Sequence, residues 1–157
     1  MRQKVARFVA LTSPDRRLLF QAVAMQPALR LALRAVGFRR CHVALRKVTR
    51  LATRPTEPGD LAVRNAHRAG QLVRAAERFG VLDRNCLIHS LTLWWLLRRR
   101  GIDSDVRIGV RRIGDALEAH AWVEHCGTVL GGEDLDGRFV LLASTSDIVA
   151  RGRLATS

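Results

Sequence analysis

Residues 86–112 read CLIHSLTLWWLLRRRGIDSDVRIGVRR, and the period of the apolar residues changes inside this one stretch. From Cys86 to Leu97 no Asp, Glu, Lys or Arg interrupts the run, and Asp83 and Asn85, residues that favour helix starts, lie just before it. That pattern predicts an apolar helix opening at Cys86 and closing before Gly101. After Asp105 the period shortens to two. Val106, Ile108 and Val110 alternate with Arg107, Gly109 and Arg111, which predicts a strand. LEAHAWVEH, residues 117–125, alternates as well, with Ala119, Ala121 and Val123 on one face and Glu118, His120, Trp122 and Glu124 on the other. Cys126-Gly127 suits a two-residue hairpin turn into a third strand in TVLGGE, and RFVLLAS supplies a fourth short one.

Upstream, everything reads as helix. TSPDRRLLFQAVAM places Ser13 as N-cap, Pro14 at the first helical position and Asp15 in the first turn, with Leu18, Leu19, Ala22 and Val23 inward. Pro27 restarts the pattern, Gly37 ends it, and a further basic helix is expected over Phe38–Leu51. TRPTEPGD is the clearest break. Asp60 then caps a helix whose apolar positions Leu61, Ala62, Ala69, Leu72, Val73, Ala76 and Phe79 recur at helical spacing up to Gly80. The order of elements predicts an α+β fold, with helices first and an antiparallel sheet packed on the Cys86 helix. At 157 residues one compact unit is expected, with a helical segment over 1–55 and a core over 60–157.

Composition narrows the function. No apolar run approaches the roughly 18 residues of a membrane span, and Arg7 interrupts the only signal-like opening. No membrane association is expected. Cys41, Cys86 and Cys126 are an odd set that cannot all pair within the chain, so a reducing cytoplasm is the expected setting. The formal charge of +13 attracts polyanions of any kind. With no Tyr, five Phe and three Trp there is no run of aromatics interleaved with basic residues, so no nucleic-acid partner is expected.

A thiol at a helix N-terminus is favoured as the thiolate by unpaired N–H groups and the macrodipole, so Cys86 is the candidate nucleophile. The plain alternative is a buried thiol acting as a small hydrophobe. Cys41 in FRRCHVALRK and Cys126 in the turn read as structural. A thiolate nucleophile needs an imidazole base, and His120, between two alanines on a strand, suits it best. If Cys126 and Gly127 are the turn, residue 125 faces 128 and His120 faces Glu133, whose carboxylate would orient the ring. One bulged residue would bring Asp134 there instead. Nothing in this chemistry calls for a cofactor or a metal.

CLIHSLTLWWLLRRRGIDSDVRIGVRR followed by LEAHAWVEHCG resembles the transglutaminase-like cysteine proteases that serve as leader peptidases, the B components, of lasso-peptide biosynthesis. The resemblance covers residues 82–142 at motif level and the helices from residue 14 more loosely. It implies a transglutaminase/papain-like core and a triad of Cys86, His120 and an acid, with Glu133 and Asp134 as alternative third members. Relatives carry an Asp near the end of the strand after the His, where this chain reads Gly131-Gly132-Glu133-Asp134. The implied reaction removes the leader from a ribosomally made precursor peptide. The implied partners are a separate leader-binding protein and an ATP-dependent lasso cyclase. Three rival readings remain: a zinc site drawn from Cys86, His89, His120, His125 and Cys126; a non-enzymatic basic module for acidic peptide or nucleic acid; and an acyl transferase using the same triad.

Overall fold

The computed structural model describes residues 11–49, 59–79, 85–130, 139–145 and 147. Among the described residues three helices come first: α1 (Ser13–Thr49), α2 (Gly59–Phe79) and α3 (Cys86–Arg98). Four strands follow: β1 (Asp105–Ile113), β2 (Ala116–His125), β3 (Thr128–Leu130) and β4 (Val140–Ser144). The fold is α+β, as the sequence predicts.

α1 begins one residue earlier than its cap was expected. The Asp15 N–H donates to Thr12 Oγ1 at 3.4 Å and the Arg16 N–H to Thr12 O at 2.9 Å, so Thr12 takes the capping place assigned to Ser13. The helix continues through Pro27 instead of restarting there. Gly37 does break it, at φ 76° and ψ 170°, a conformation that only glycine adopts cheaply, and α1 kinks there.

α3 is the central element. From Ile88 to Leu97 every residue except Trp95 is buried, which is the mark of a helix covered on all sides. α1 and α2 pack on it, and so do β1 and, more extensively, β2. α2 offers Ala62, Ala66, Ala69, Val73 and Ala76 along one buried stripe, small residues that let the helices approach closely. Leu18 and Leu29 of α1, Leu91 and Leu97 of α3 and Val106, Val123 and Leu130 of the sheet share one core. Gly101 closes α3, with Ile102 N–H bonded to Leu97 O at 3.0 Å and the Ile102 side chain buried.

The sheet order is β3-β2-β1-β4, antiparallel throughout. Cys126 (φ 48°) and Gly127 (φ 77°) form the two-residue β2–β3 turn, whose positive φ values match the twist of the flanking strands. The pairs His125↔Thr128, Glu124↔Val129 and Val123↔Leu130 fix the hairpin register. β4 joins the opposite edge, against β1, with a register shift at Ile108/Gly109.

Candidate active site

Cys86 is the first residue of α3, and Asn85 is the cap. The Asn85 side-chain oxygen accepts from the Leu87 and Ile88 N–H groups, both at 3.1 Å, so two of the otherwise unpaired donors of the first turn are used. Of the two caps the sequence left open, Asp83 lies outside the described residues. The Cys86 thiol is half-buried at the mouth of the helix, where the dipole favours an anion.

The other two thiols have different settings. Cys41 is buried among the helices, and burial pushes its thiol up from the ordinary value, which keeps it protonated and unreactive. Cys126 is exposed in its turn, with Sγ 3.8 Å from His125 Nε2.

One turn into α3, His89 is almost wholly buried. Its Nδ1 meets Glu77 Oε1 of α2 at 2.8 Å, while its Nε2 is buried with no hydrogen-bond partner among the described residues. Side chains on a helix lean toward its N-terminus, so this ring tilts toward the turn that carries Cys86. Sequence reading named His89 only as a candidate zinc ligand and missed Glu77. The pairing joins two helices and leaves no local signature.

His120 lies mid-way along β2 opposite Gly109 of β1. Its ring stacks nearly parallel on Trp122, centroids 6.4 Å apart, and meets Phe139 at 5.4 Å. Gly109 makes this possible. A Cβ at that position would come within 2.9 Å of the Trp122 ring and 2.9 Å of Val140 O, so any larger residue would displace the aromatic layer. Further along the same face, Trp122 Nε1 donates to Glu124 Oε1 at 2.8 Å, and Arg107 Nε donates to Glu124 Oε2 at 3.0 Å. His120 thus heads a fixed row of side chains, while Ala121 and Val123 on the other face are buried, Val123 within the shared core.

Helix α3 packs on strand β2, which brings together the elements that carry Cys86 and His120. Among the described residues no hydrogen bond joins the two side chains, so the contact is between elements rather than between thiol and imidazole. Glu133 and Asp134 lie outside the described residues. The zinc candidates are dispersed: His89 is turned to Glu77, and His125 Nδ1 contacts Asp103 O. Among the described residues no group of three or more His, Cys, Asp or Glu side chains is placed to hold a metal ion. Nor is any described helix long and apolar enough to cross a membrane.

Residues 15–144, which run from the first turn of α1 to the end of β4, match the family described as the transglutaminase-like superfamily. The chain belongs to that superfamily. Membership fits an activity of the cysteine peptidase or acyl transferase kind, and it includes α1 in the family's domain. Searches of curated proteins and of solved structures gave no significant match.

Proposed function

We propose that this transglutaminase-like protein is a cysteine peptidase that removes the leader from a ribosomally made lasso-peptide precursor, with Cys86 as nucleophile and His120 as general base. The observation that carries the reading is the thiol at the first position of a capped, buried helix packed on the strand of His120. The motif pair CLIHSLTLWWLLRRRGIDSDVRIGVRR and LEAHAWVEHCG supplies the lasso-specific part.

Path lengths support the pairing. Trp94 Nε1 donates to Ser104 O at 3.0 Å, a tie between the far end of α3 and the start of β1. From that tie α3 takes about 12 Å back to Cys86, and β1 takes about 13 Å from Asp105 to Gly109, the partner of His120. The near-equal paths put Cys86 and His120 at comparable reach from that tie; His120 stands on the face of β2 opposite the one that carries Val123 into the core, so the thiol–imidazole hydrogen bond is proposed to form only with substrate bound. In the reaction, His120 takes the Cys86 proton as the thiolate attacks the scissile carbonyl. It returns the proton to the leaving amine, and water then releases the leader as a free acid.

The acid that orients His120 is proposed to be Glu133, with Asp134 as the alternative. Continuing the described β2–β3 register would set Glu133 opposite His120. The precursor peptide, a leader-binding protein and an ATP-dependent cyclase are the proposed partners, in a cytoplasmic setting. The deciding experiment incubates the protein with a precursor and its leader-binding protein and follows the products by mass spectrometry. Cleavage by wild type and none by Cys86→Ala is the expected result. Cleavage that survives Cys86→Ala would sink the reading, and a leader–amine adduct in place of free acid would reassign the chain to acyl transfer.

A further inference from the structure

The face of α1 that looks away from the core is apolar along part of its length. Leu18, Leu19, Ala22 and Leu29 point inward and are buried. Phe20 and Leu31, by contrast, are 73% and 71% exposed, and Ala24 and Pro27 between them are exposed as well. The spacing Phe20, Ala24, Pro27, Leu31 is four, three, four, the repeat by which one helix presents a seam to another. At 3.6 residues per turn the four fall within about 60° of arc and span about 16 Å. The smaller Ala24 and Pro27 leave a shallow hollow between two large side chains, the shape that a knob from a second helix fills.

Charge closes this seam at both ends. Arg17 stands three residues before Phe20 and Arg34 three after Leu31, both exposed and both continuing the same repeat. The carboxylate nearest in sequence, Asp15, is turned to Arg68 of α2 at 2.9 Å, and from residue 16 to residue 49 α1 carries no Asp or Glu. Two copies of the chain meeting along the seam would set arginine against arginine in a parallel or an antiparallel pair, which disfavours a homodimer. Lipid fits no better. A helix lying in a membrane surface keeps its cations on the polar face, whereas Arg17 and Arg34 stand in line with the apolar residues. Pro27 also removes the N–H that would pair with the Val23 carbonyl, and hydrocarbon cannot satisfy that acceptor.

We infer that the Phe20–Leu31 seam docks an amphipathic helix of another protein, one that carries an apolar ridge of about three turns with a carboxylate beyond each end. Those carboxylates lie about 25 Å apart, the length of helix from Arg17 to Arg34. Each meets a guanidinium able to grip it in a two-pronged geometry. The seam shares no residue with Cys86, His120 or the acids proposed beside them, so the docking holds whether or not the chain is a peptidase.

The test titrates the full-length protein against a fluorescein-labelled synthetic helix of about 20 residues, with leucines at the four-three-four spacing and a glutamate beyond each end. Two companion peptides carry lysines in place of the glutamates, or the same residues in scrambled order. Wild type should bind the glutamate helix and prefer it to both. Phe20→Ser/Leu31→Ser should weaken that binding about tenfold. Val140→Ser/Leu142→Ser removes two exposed apolar side chains from β4 and should change it less than about twofold. Arg17→Glu/Arg34→Glu should reverse the preference, so that the lysine helix binds more tightly, and this covers the case in which the serine pair disturbs the fold. No binding by wild type, an equal loss from the β4 pair, or a preference untouched by the charge reversal would overturn the seam. So would a concentration-dependent dimer in sedimentation that Phe20→Ser/Leu31→Ser dissolves, which would make the occupant a second copy. Tighter binding to anionic vesicles than to the glutamate helix, lost in the same variant, would hand the face to a membrane.

Discussion

The two ends of α3 are built to opposite plans. At the N-terminus the described groups around the first turn are an amide, a thiol and a paired acid: Asn85 occupies two backbone donors, Cys86 is half-buried, and Glu77 of α2 is paired with His89. At the C-terminus three arginines follow one another, with Arg98 over Trp94 at 5.2 Å and Arg99 over Trp95 at 4.8 Å. Cations suit the negative end of a helix and would be costly at the other, where a thiolate is wanted. One buried helix therefore separates chemistry from charge, and a change at one end should be felt little at the other.

The largest effect should come from the N-terminal end. Cys86→Ala is expected to reduce precursor cleavage by at least about a thousandfold, and His120→Ala nearly as much, because nucleophile and base act as a unit. Far-ultraviolet circular dichroism should show both folded. Cys41→Ala, inside the core, should leave cleavage intact, and a dead Cys41→Ala of unchanged stability would move the nucleophile.

The next effect belongs to the other end. His42 is fully buried between Phe38 and Trp94, both its ring nitrogens lack partners among the described residues, and burial lowers its pKa to about 4 from the ordinary 6.5. Because the folded value lies below the unfolded one, its neutral form contributes full stability above pH 6.5, and that contribution is lost as pH falls toward 4. The shift corresponds to about 3 kcal/mol. Urea unfolding at neutral and acidic pH should show this drop, and His42→Phe, which keeps the stack, should flatten it. An identical acid-side loss in the variant would place the titration elsewhere.

Two smaller effects return to the first turn. Glu77→Gln keeps an acceptor for His89 but removes its charge and should cost about 1–2 kcal/mol of unfolding free energy. Asn85→Ala removes the cap and should cost about 1 kcal/mol. If the ends are independent, neither should alter the acid-side loss of stability set by His42, and a shared change would erase the distinction between them.

How far the sequence foretold this depends on the range of the interactions. The position of Cys86 was legible because an apolar run and a capping residue are neighbours in the chain. The β1–β2–β3 pairing was legible because alternation and the Cys126-Gly127 turn are local. The attachment of β4 to β1 was not, since an edge is chosen by what the rest of the fold leaves open. The Glu77–His89 pair was invisible for the same reason, since it needs two helices to be already packed. Pro27 misled because a proline's missing donor reads as a stop, while packing of α1 against α2 and α3 carries the helix through it. The proposed acid, Glu133 or Asp134, comes from counting outward from the turn, and both residues lie outside the described ones.

The chain's three tryptophans fall in three different surroundings, and this gives the molecule separable optical signals. Trp95 lies under Arg99 in the last turn of α3, so its emission should respond when an anion draws that guanidinium aside. Trp94 is buried with its indole N–H tied to Ser104 O, and it should stay blue-shifted until the core opens. Trp122 stacks on His120, and a protonated imidazole quenches an adjacent indole. Its brightness across a pH titration would read the charge on the proposed base directly, with no substrate present, once the other two are replaced by phenylalanine.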